Sequence, residues 1–212
     1  MIAMTKKPTV VVGIAGGSGT GKSAIAEHLA HRYGGVHVDG DRVAHAVLSG
    51  DADAIAKVRA AFGAGLFDAD GKVDRRHLGR VVFADAQALK RLNAIVHPAV
   101  VARCTEAVVR ARVAGVPLVI VDAALILEVP MPFGFDLTIA LDCERGERMR
   151  RLLAKGGWSE DDVRARLDRQ DGMEKHFYKA HAVVDTGRAL PAVLADVEAL
   201  IDAALKRGEK SK

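Results

Sequence analysis

Five short apolar runs punctuate the chain: Thr9 to Ile14, Val36 to Val38, Pro117 to Val121, Leu137 to Leu141 and Ala182 to Val184. Each is continuous rather than alternating, as expected of strands covered on both faces, and together they predict a parallel sheet. Between them the apolar residues fall at helical spacing. Ile25 and Leu29 mark a helix from Ser23 to Tyr33, and Val101, Cys104 and Val108 mark one from about Pro98 to Val113. Ser159 with Asp162 reads as a capping box, and the acids Glu160 and Asp161 suit the positive end of the helix that follows. A last helix starts after Leu190 with Pro191 in its first turn and carries Val193, Val197, Leu200 and Ile201; the polar tail from Lys206 to Lys212 is expected to fray. The alternation breaks between Asp41 and Pro98, where only helical patterns occur: Ile55, Val58 and Phe62, then Leu78, Val81 and Val82, then Leu89, Leu92 and Val96. Ligands of open parallel sheets bind beyond the carboxyl ends of the strands. An insertion leaving the second strand there is a candidate substrate domain. Its turn Asp68-Ala69-Asp70-Gly71 is not a calcium loop, because Leu66 and His77 would occupy ligand positions; a surface turn is expected.

Composition adds bounds. At 212 residues and 50% hydrophobic the chain can bury one sizeable core with a small inserted subdomain. A net charge of +4 suits polyanionic small molecules without calling for nucleic acid, and 4% aromatic residues leave few rings to stack bases. Cys104 and Cys143 have no metal-like or redox-motif spacing and read as reduced core cysteines. The Lys6-Lys7 pair and the short apolar run after it lead into a glycine-rich loop rather than a cleavage site. Val113 to Leu127 is interrupted by Asp122 and too short to span a bilayer. A cytoplasmic enzyme with no membrane or nucleic-acid partner is expected.

That loop, Gly16-Gly17-Ser18-Gly19-Thr20-Gly21-Lys22-Ser23, stands between the first strand and the first helix. Glycines there permit positive φ, so that successive N–H groups turn inward around phosphate oxygens, and the helix dipole faces the same point. In such a loop Lys22 reaches the β- and γ-phosphates and Ser23 offers its hydroxyl to Mg²⁺. The motif implies binding of a nucleoside triphosphate. Phosphoryl transfer also needs a group that positions the acceptor and takes its proton, and positive charge for the transition state. Asp39-Gly40-Asp41 ends the second strand at the sheet edge; Asp41 is read as a base or acceptor-positioning group, against both acids being turn formers or outer groups around Mg²⁺. Between Glu144 and Gln170 lie Arg145, Arg148, Arg150, Arg151, Lys155, Arg164, Arg166 and Arg169, on two helices around Gly156-Gly157. They are either a lid that closes charge over phosphates or a solvated face paired with Glu147 and Asp168.

Taken in order, these blocks resemble the dephospho-CoA kinase family over most of the chain. Gly16 to Ser23 is similar to its GGIGSGKS loop, and Val38-Asp39-Gly40-Asp41 with Ala44-His45 to its DAD-x-x-A-H segment. Phe62-Gly63, Asp70-Gly71, Asp74-Arg75, Leu78-Gly79 and Val82-Phe83 resemble its punctuation, and Leu92 to Pro98 its LN-x-I-x-HP block. Asp122 to Glu128 resembles its D-x-PLLFE run and Arg166 to Gln170 its R-I-x-x-Q. Departures are Ala24 for a threonine, Ala124, Ile126 and Leu127 for proline, leucine and phenylalanine, His181 and Thr186 for an acid and an amide, and Lys155 for an arginine.

The resemblance implies an α/β, three-layer P-loop kinase fold with a five-stranded parallel sheet, a helical substrate-binding insertion and a helical lid. It implies a nucleotide-binding core of residues 1–41, 98–144 and 180–212, a helical CoA-substrate domain at 42–97 and a lid at 145–179. The implied reaction moves the γ-phosphoryl group of ATP to the 3′-hydroxyl of dephospho-CoA, with Mg²⁺ as cofactor. Gly17, Ser18, Gly19, Thr20, Gly21, Lys22, Ser23 and Ala24 would hold ATP, with Ser23 also on Mg²⁺. Asp39, Asp41 and His97 would serve dephospho-CoA, His97 otherwise being a fixture at a helix start ahead of Pro98. Arg151, Lys155 and Arg166 would stabilise the transferring group beside Lys22 and Asp41. A monomer or small homo-oligomer is expected.

Other readings share the loop. A kinase for a nucleoside, a nucleoside monophosphate or a sugar acid would have the same fold. A guanine-nucleotide switch would need an NKxD-type motif, and Asn93, the sole asparagine, is followed by Ala94.

Overall fold

The strand β1 (Val10–Gly16) is buried at all seven positions, which requires neighbours on both edges and cover on both faces. A computed structural model, describing residues 8–123, 126–128 and 130–210, supplies them. After β1 come α1 (Lys22–Arg32), β2 (Val36–Asp39), α2 (Gly40–Gly50), α3 (Ala52–Phe62), α4 (Arg75–Ala84) and α5 (Ala86–Ala114). Then follow β3 (Leu118–Asp122), β4 (Leu137–Asp142), α6 (Arg145–Lys155), α7 (Glu160–Asp168), β5 (Ala182–Asp185) and α8 (Leu190–Lys210). The sheet order is β2-β3-β1-β4-β5 and every pair is parallel, so the five strands expected from the apolar runs all form.

Alternate residues of β1, Val10, Val12 and Ile14, pack with Ile25 and Leu29 of α1 and with Val193, Val197 and Ile201 of α8 in one cluster. The register Ile14↔Asp122 and Asp39↔Asp122 brings the carboxyl ends of β1, β3 and β2 side by side. The sheet therefore delivers the glycine loop and two carboxylates to one edge. At its other end Asp136 closes the ladder, its Oδ2 accepting from Val11 N at 2.7 Å.

By its contacts the chain divides into one unit of the residues up to Asp39 and from Ala107 on, and a second of Gly40–Glu106. The second has its own apolar clusters, one of Leu66, Val73, Leu78, Val82 and Ala88, the other of Val47, Ala54 and Val96. Its Asp68 turn is a surface turn as expected, with Asp68 Oδ1 accepting from the N–H groups of Asp70 and Lys72.

Two helix boundaries differ from the sequence expectation. The helix expected to start at Pro98 starts at Ala86, with Pro98 in its interior. A proline there forgoes a backbone bond, but the stripe Leu92, Val96, Val100, Cys104, Val108 recurs every four residues across it, and Val96, Cys104 and Val108 are buried. α5 is the one helix among the described residues long and apolar enough to cross a membrane, by length and composition only. The tail expected to fray from Lys206 is helical to Lys210. Its last turns are held, since Ala204 is buried and a Cβ on Gly208 would lie 3.2 Å from Val10 Cγ2. Lys6, Lys7, Ala124, Ser211 and Lys212 lie outside the described residues.

Candidate active site

Three glycines of the loop, Gly16, Gly19 and Gly21, have φ of 147°, 84° and 90°, values that L side chains rarely adopt. Gly19 is doubly constrained, because a Cβ there would also lie 2.7 Å from the carbonyl oxygen of Arg148. Thr20 is buried and donates its hydroxyl to Gly17 O at 2.8 Å, tying the loop across its own neck. Lys22 opens α1 and folds its Nζ back to Gly17 O at 3.2 Å. Ser18 and Gly19 are half-buried, whereas Gly21, Ser23 and Ala24 are exposed at the start of α1.

Ser23 donates its hydroxyl to Asp122 Oδ2 at 2.8 Å, and His37 Nε2 lies 3.1 Å from Asp122 Oδ1. Asp122 ends β3 almost fully buried, so both of its oxygens are accounted for by side chains on β2 and α1. No group of three or more histidine, cysteine or acidic side chains that could by itself hold a metal occurs among the described residues. A hydroxyl beside one carboxylate is nonetheless the donor set that Mg²⁺ uses, because that ion keeps several waters and takes its other ligands from phosphates. Ser23 and Asp122 fit it.

The basic cluster splits into two. Arg145 pairs with Asp168 and Asp171, Arg150 with Glu147, and Arg164 with Glu160, all on the outer surface. Arg148, Arg151 and Arg166 turn to the loop. Arg148 Nε donates to Ser18 O at 2.9 Å, Arg151 Nη1 to Gly19 O at 3.4 Å, and Arg166 Nε to Ser18 Oγ at 2.7 Å. Gln170, in the turn after α7, accepts from Ser18 N at 2.7 Å and donates to Ser18 Oγ at 3.2 Å. The Arg166 guanidinium also stands 5.4 Å from the ring centre of the half-exposed Trp158. Lys155 is exposed at the last residue of α6, a turn beyond Arg151.

Charge and burial set the ionisation here. Hydrogen bonds from Arg150 and then Arg151 hold the Glu147 carboxyl down to about 2. Burial pushes the Arg148 guanidinium below its ordinary value. Arg151 spans three partners, Glu147 Oε1 at 2.8 Å, Gly19 O, and Thr186 O at 2.7 Å. Thr186 is buried and donates both its N–H and its hydroxyl to Asp142 O, joining the ends of β4 and β5. His181 Nδ1 accepts from Thr138 N at 3.0 Å at the other end of those strands.

The acceptor candidates lie elsewhere in the chain. Asp39 is half-buried at the end of β2; Asp41 is exposed in the first turn of α2. His97 is half-buried in the middle of α5, so it is not a fixture at a helix start.

Sequence reasoning missed the placement of Asp122, His37, Arg148 and Gln170 around the loop. Asp122 had a signal: a lone carboxylate closing an otherwise apolar strand beside the loop-bearing one. Gln170 closes the block Arg166 to Gln170 that resembles the family's R-I-x-x-Q, whereas Arg148 had no signal that separates it from its charged neighbours.

A family model described as dephospho-CoA kinase matches residues 10–191. The chain is 36% identical over 191 residues to a dephospho-CoA kinase of Leifsonia xyli, covering 90% of this chain and 96% of that protein. It is 35% identical over 189 residues to one of Thermobifida fusca, covering 88% and 93%. Among solved structures, a protein from Thermus thermophilus superposes with a TM-score of 0.74 at 28% identity, over 93% of this chain and 98% of that one. A shikimate kinase of Acinetobacter baumannii, at a TM-score of 0.52 and 14% identity over 95% and 96%, shares the fold alone.

Proposed function

The chain belongs to the dephospho-CoA kinase family, and from that premise we propose how its own residues perform the transfer. The enzyme moves the γ-phosphoryl group of ATP to the 3′-hydroxyl of dephospho-CoA, giving CoA and ADP in the last step of coenzyme A biosynthesis. The observation that carries the assignment of roles is the loop of Gly16 to Ser23, tied to Asp122 on one side and to Arg148, Arg151 and Arg166 on the other.

The loop of Gly17 to Ala24 holds the phosphates of ATP through its main-chain N–H groups other than that of Ser18, which Gln170 takes. Lys22 exchanges the Gly17 carbonyl for β- and γ-phosphate oxygens, placing its charge where the transition state gathers negative charge. Ser23 and Asp122 would hold Mg²⁺, which when bound neutralises charge on the phosphate oxygens. Asp41, aided by Asp39, orients the 3′-hydroxyl and takes its proton as the oxygen bonds to phosphorus and the bond to ADP breaks. Arg151 and Arg166 stabilise the equatorial oxygens of the group in flight, with Lys155 as an outer charge. His97 and the helices of residues 42–97 bind dephospho-CoA, with residues 145–179 as a lid on the nucleotide-binding core. We take the enzyme to act in the cytoplasm as a monomer or small homo-oligomer, with neither nucleic acid nor membrane as partner.

The test mixes purified protein with Mg·ATP and dephospho-CoA, follows ADP by a coupled assay, and identifies CoA by mass spectrometry, with adenosine and AMP as competing acceptors. CoA formed with one ADP for each CoA, and adenosine and AMP not phosphorylated at a comparable rate, is the expected result. Turnover only with another acceptor would move the substrate and keep the fold.

A further inference from the structure

Ser18, near the apex of the glycine loop, spends its N–H, its carbonyl and its hydroxyl oxygen on distant side chains. Its N–H donates to Gln170 Oε1 at 2.7 Å and its carbonyl accepts from Arg148 Nε at 2.9 Å. Its hydroxyl oxygen accepts from Arg166 Nε at 2.7 Å and from Gln170 Nε2 at 3.2 Å. The two clamping residues also bind one another, Arg148 Nη2 donating to Gln170 Oε1 at 2.8 Å. The amide orientation of Gln170 is dictated by these partners, since Oε1 faces two donors and Nε2 faces an acceptor. Its backbone is fixed in turn, Gln170 N donating to the carbonyl of the fully buried Leu167 at 2.9 Å.

A loop that is half glycine has many conformations to lose when it wraps phosphates. Lost freedom on binding is paid from affinity, and pre-organising the loop removes that cost. We propose that Gln170 and Arg148 are positioning residues that hold the loop in its phosphate-binding form before nucleotide arrives, acting through Ser18 rather than by touching the reacting atoms. The arrangement leaves no room for alternatives at the glycines beside Ser18. A Cβ on Gly17 would collide with the Arg148 guanidinium, and one on Gly19 with the Arg148 backbone. The side chain and the main chain of one residue of α6 thus set the loop's shape from outside.

The proposal rests on the reading of this loop as a nucleotide site, and its test is chosen to stand apart from the identity of the acceptor. Gln170→Met keeps the length and removes every polar contact; Arg148→Lys keeps the charge and removes the fork. ADP binding to each full-length variant is measured by titration calorimetry, the KM for ATP and for dephospho-CoA by turnover, and folding by thermal denaturation. For Gln170→Met the Kd for ADP and the KM for ATP rise about tenfold, with the dephospho-CoA KM within about twofold of wild type. Arg148→Lys follows in the same direction, which keeps the test open if the first variant does not fold. Nucleotide affinity unchanged in a folded variant, or a parallel loss in both KM values together with a large fall in Tm, overturns it. Wild-type protein that binds ADP but does not phosphorylate dephospho-CoA sinks the acceptor assignment and leaves this test standing.

Discussion

Arg150 and Arg151 are neighbours in sequence and share the carboxylate of Glu147, yet they do different work. Arg150 gives both of its bonds to Glu147 at the surface, whereas Arg151 gives one and sends its remaining nitrogens to Gly19 and Thr186. The carboxyl that anchors the pair is held down to about 2, first by Arg150 and then by Arg151. A carboxyl with a lowered folded-state pKa contributes fully above the ordinary carboxylate range and loses that contribution as pH falls through its folded value. Glu147→Gln should therefore lower Tm by an amount that is constant from about pH 8 to pH 5.5 and narrows below about pH 4.5, as read by thermal melts across that range. A difference that vanished near neutrality would mean that some other group titrates. Lys22 is a test of chemistry rather than of anchoring: its ammonium already lies against the loop at Gly17 O. Lys22→Ala should cut kcat by about a hundredfold or more in the coupled assay. Near wild-type turnover would remove the lysine from the mechanism.

Helix α7 shows how far local sequence determines an element and where it stops. Ser159 accepts from Asp162 N at 3.1 Å and Asp162 Oδ2 accepts from Ser159 N at 3.2 Å, the reciprocal box that the spacing predicts. Ser159→Ala should weaken the helix start by about 1 kcal/mol, seen as faster amide hydrogen exchange in the first turn of α7. Unchanged exchange there would mean that packing of Val163 and Leu167, both buried, holds the helix without its cap. Rules of this kind act within a few residues, and the strands, the cap and the loop were legible because each is written locally. Pro98 misled for the same reason: a local breaker was overruled by an apolar stripe running through it. The division of the lid arginines was not written in spacing or composition; the family resemblance picked out Arg151 and Arg166, which do turn to the loop, but not Arg148. Ser18 and Gln170 are 152 positions apart, and nothing near either one announces the other.

At the scale of the molecule, the sheet carries the stability and the edge carries the site. β1 lies in the middle of five parallel strands with all its residues buried, so its amides exchange with solvent only when the core opens. The residues of Gly40–Glu106 have smaller clusters of their own, such as that around Leu66 and Leu78. Hydrogen exchange should accordingly be slowest at Val11 and Val12 and markedly faster along α4. ADP at about a hundred times its Kd should slow the β1 amides about a hundredfold, the equivalent of about 2.7 kcal/mol. Equal protection in β1 and α4 would show that the chain opens as a single cooperative whole.

The chain contains one tryptophan, Trp158, half-exposed in the turn between α6 and α7 and stacked near the guanidinium of Arg166. That same guanidinium reaches Ser18 in the glycine loop. The protein thus has a built-in optical probe: with excitation selective for tryptophan its emission comes from one indole, whose surroundings would change if nucleotide drew Arg166 away from Ser18. Mixing with nucleotide in a stopped-flow instrument would time that exchange without any label.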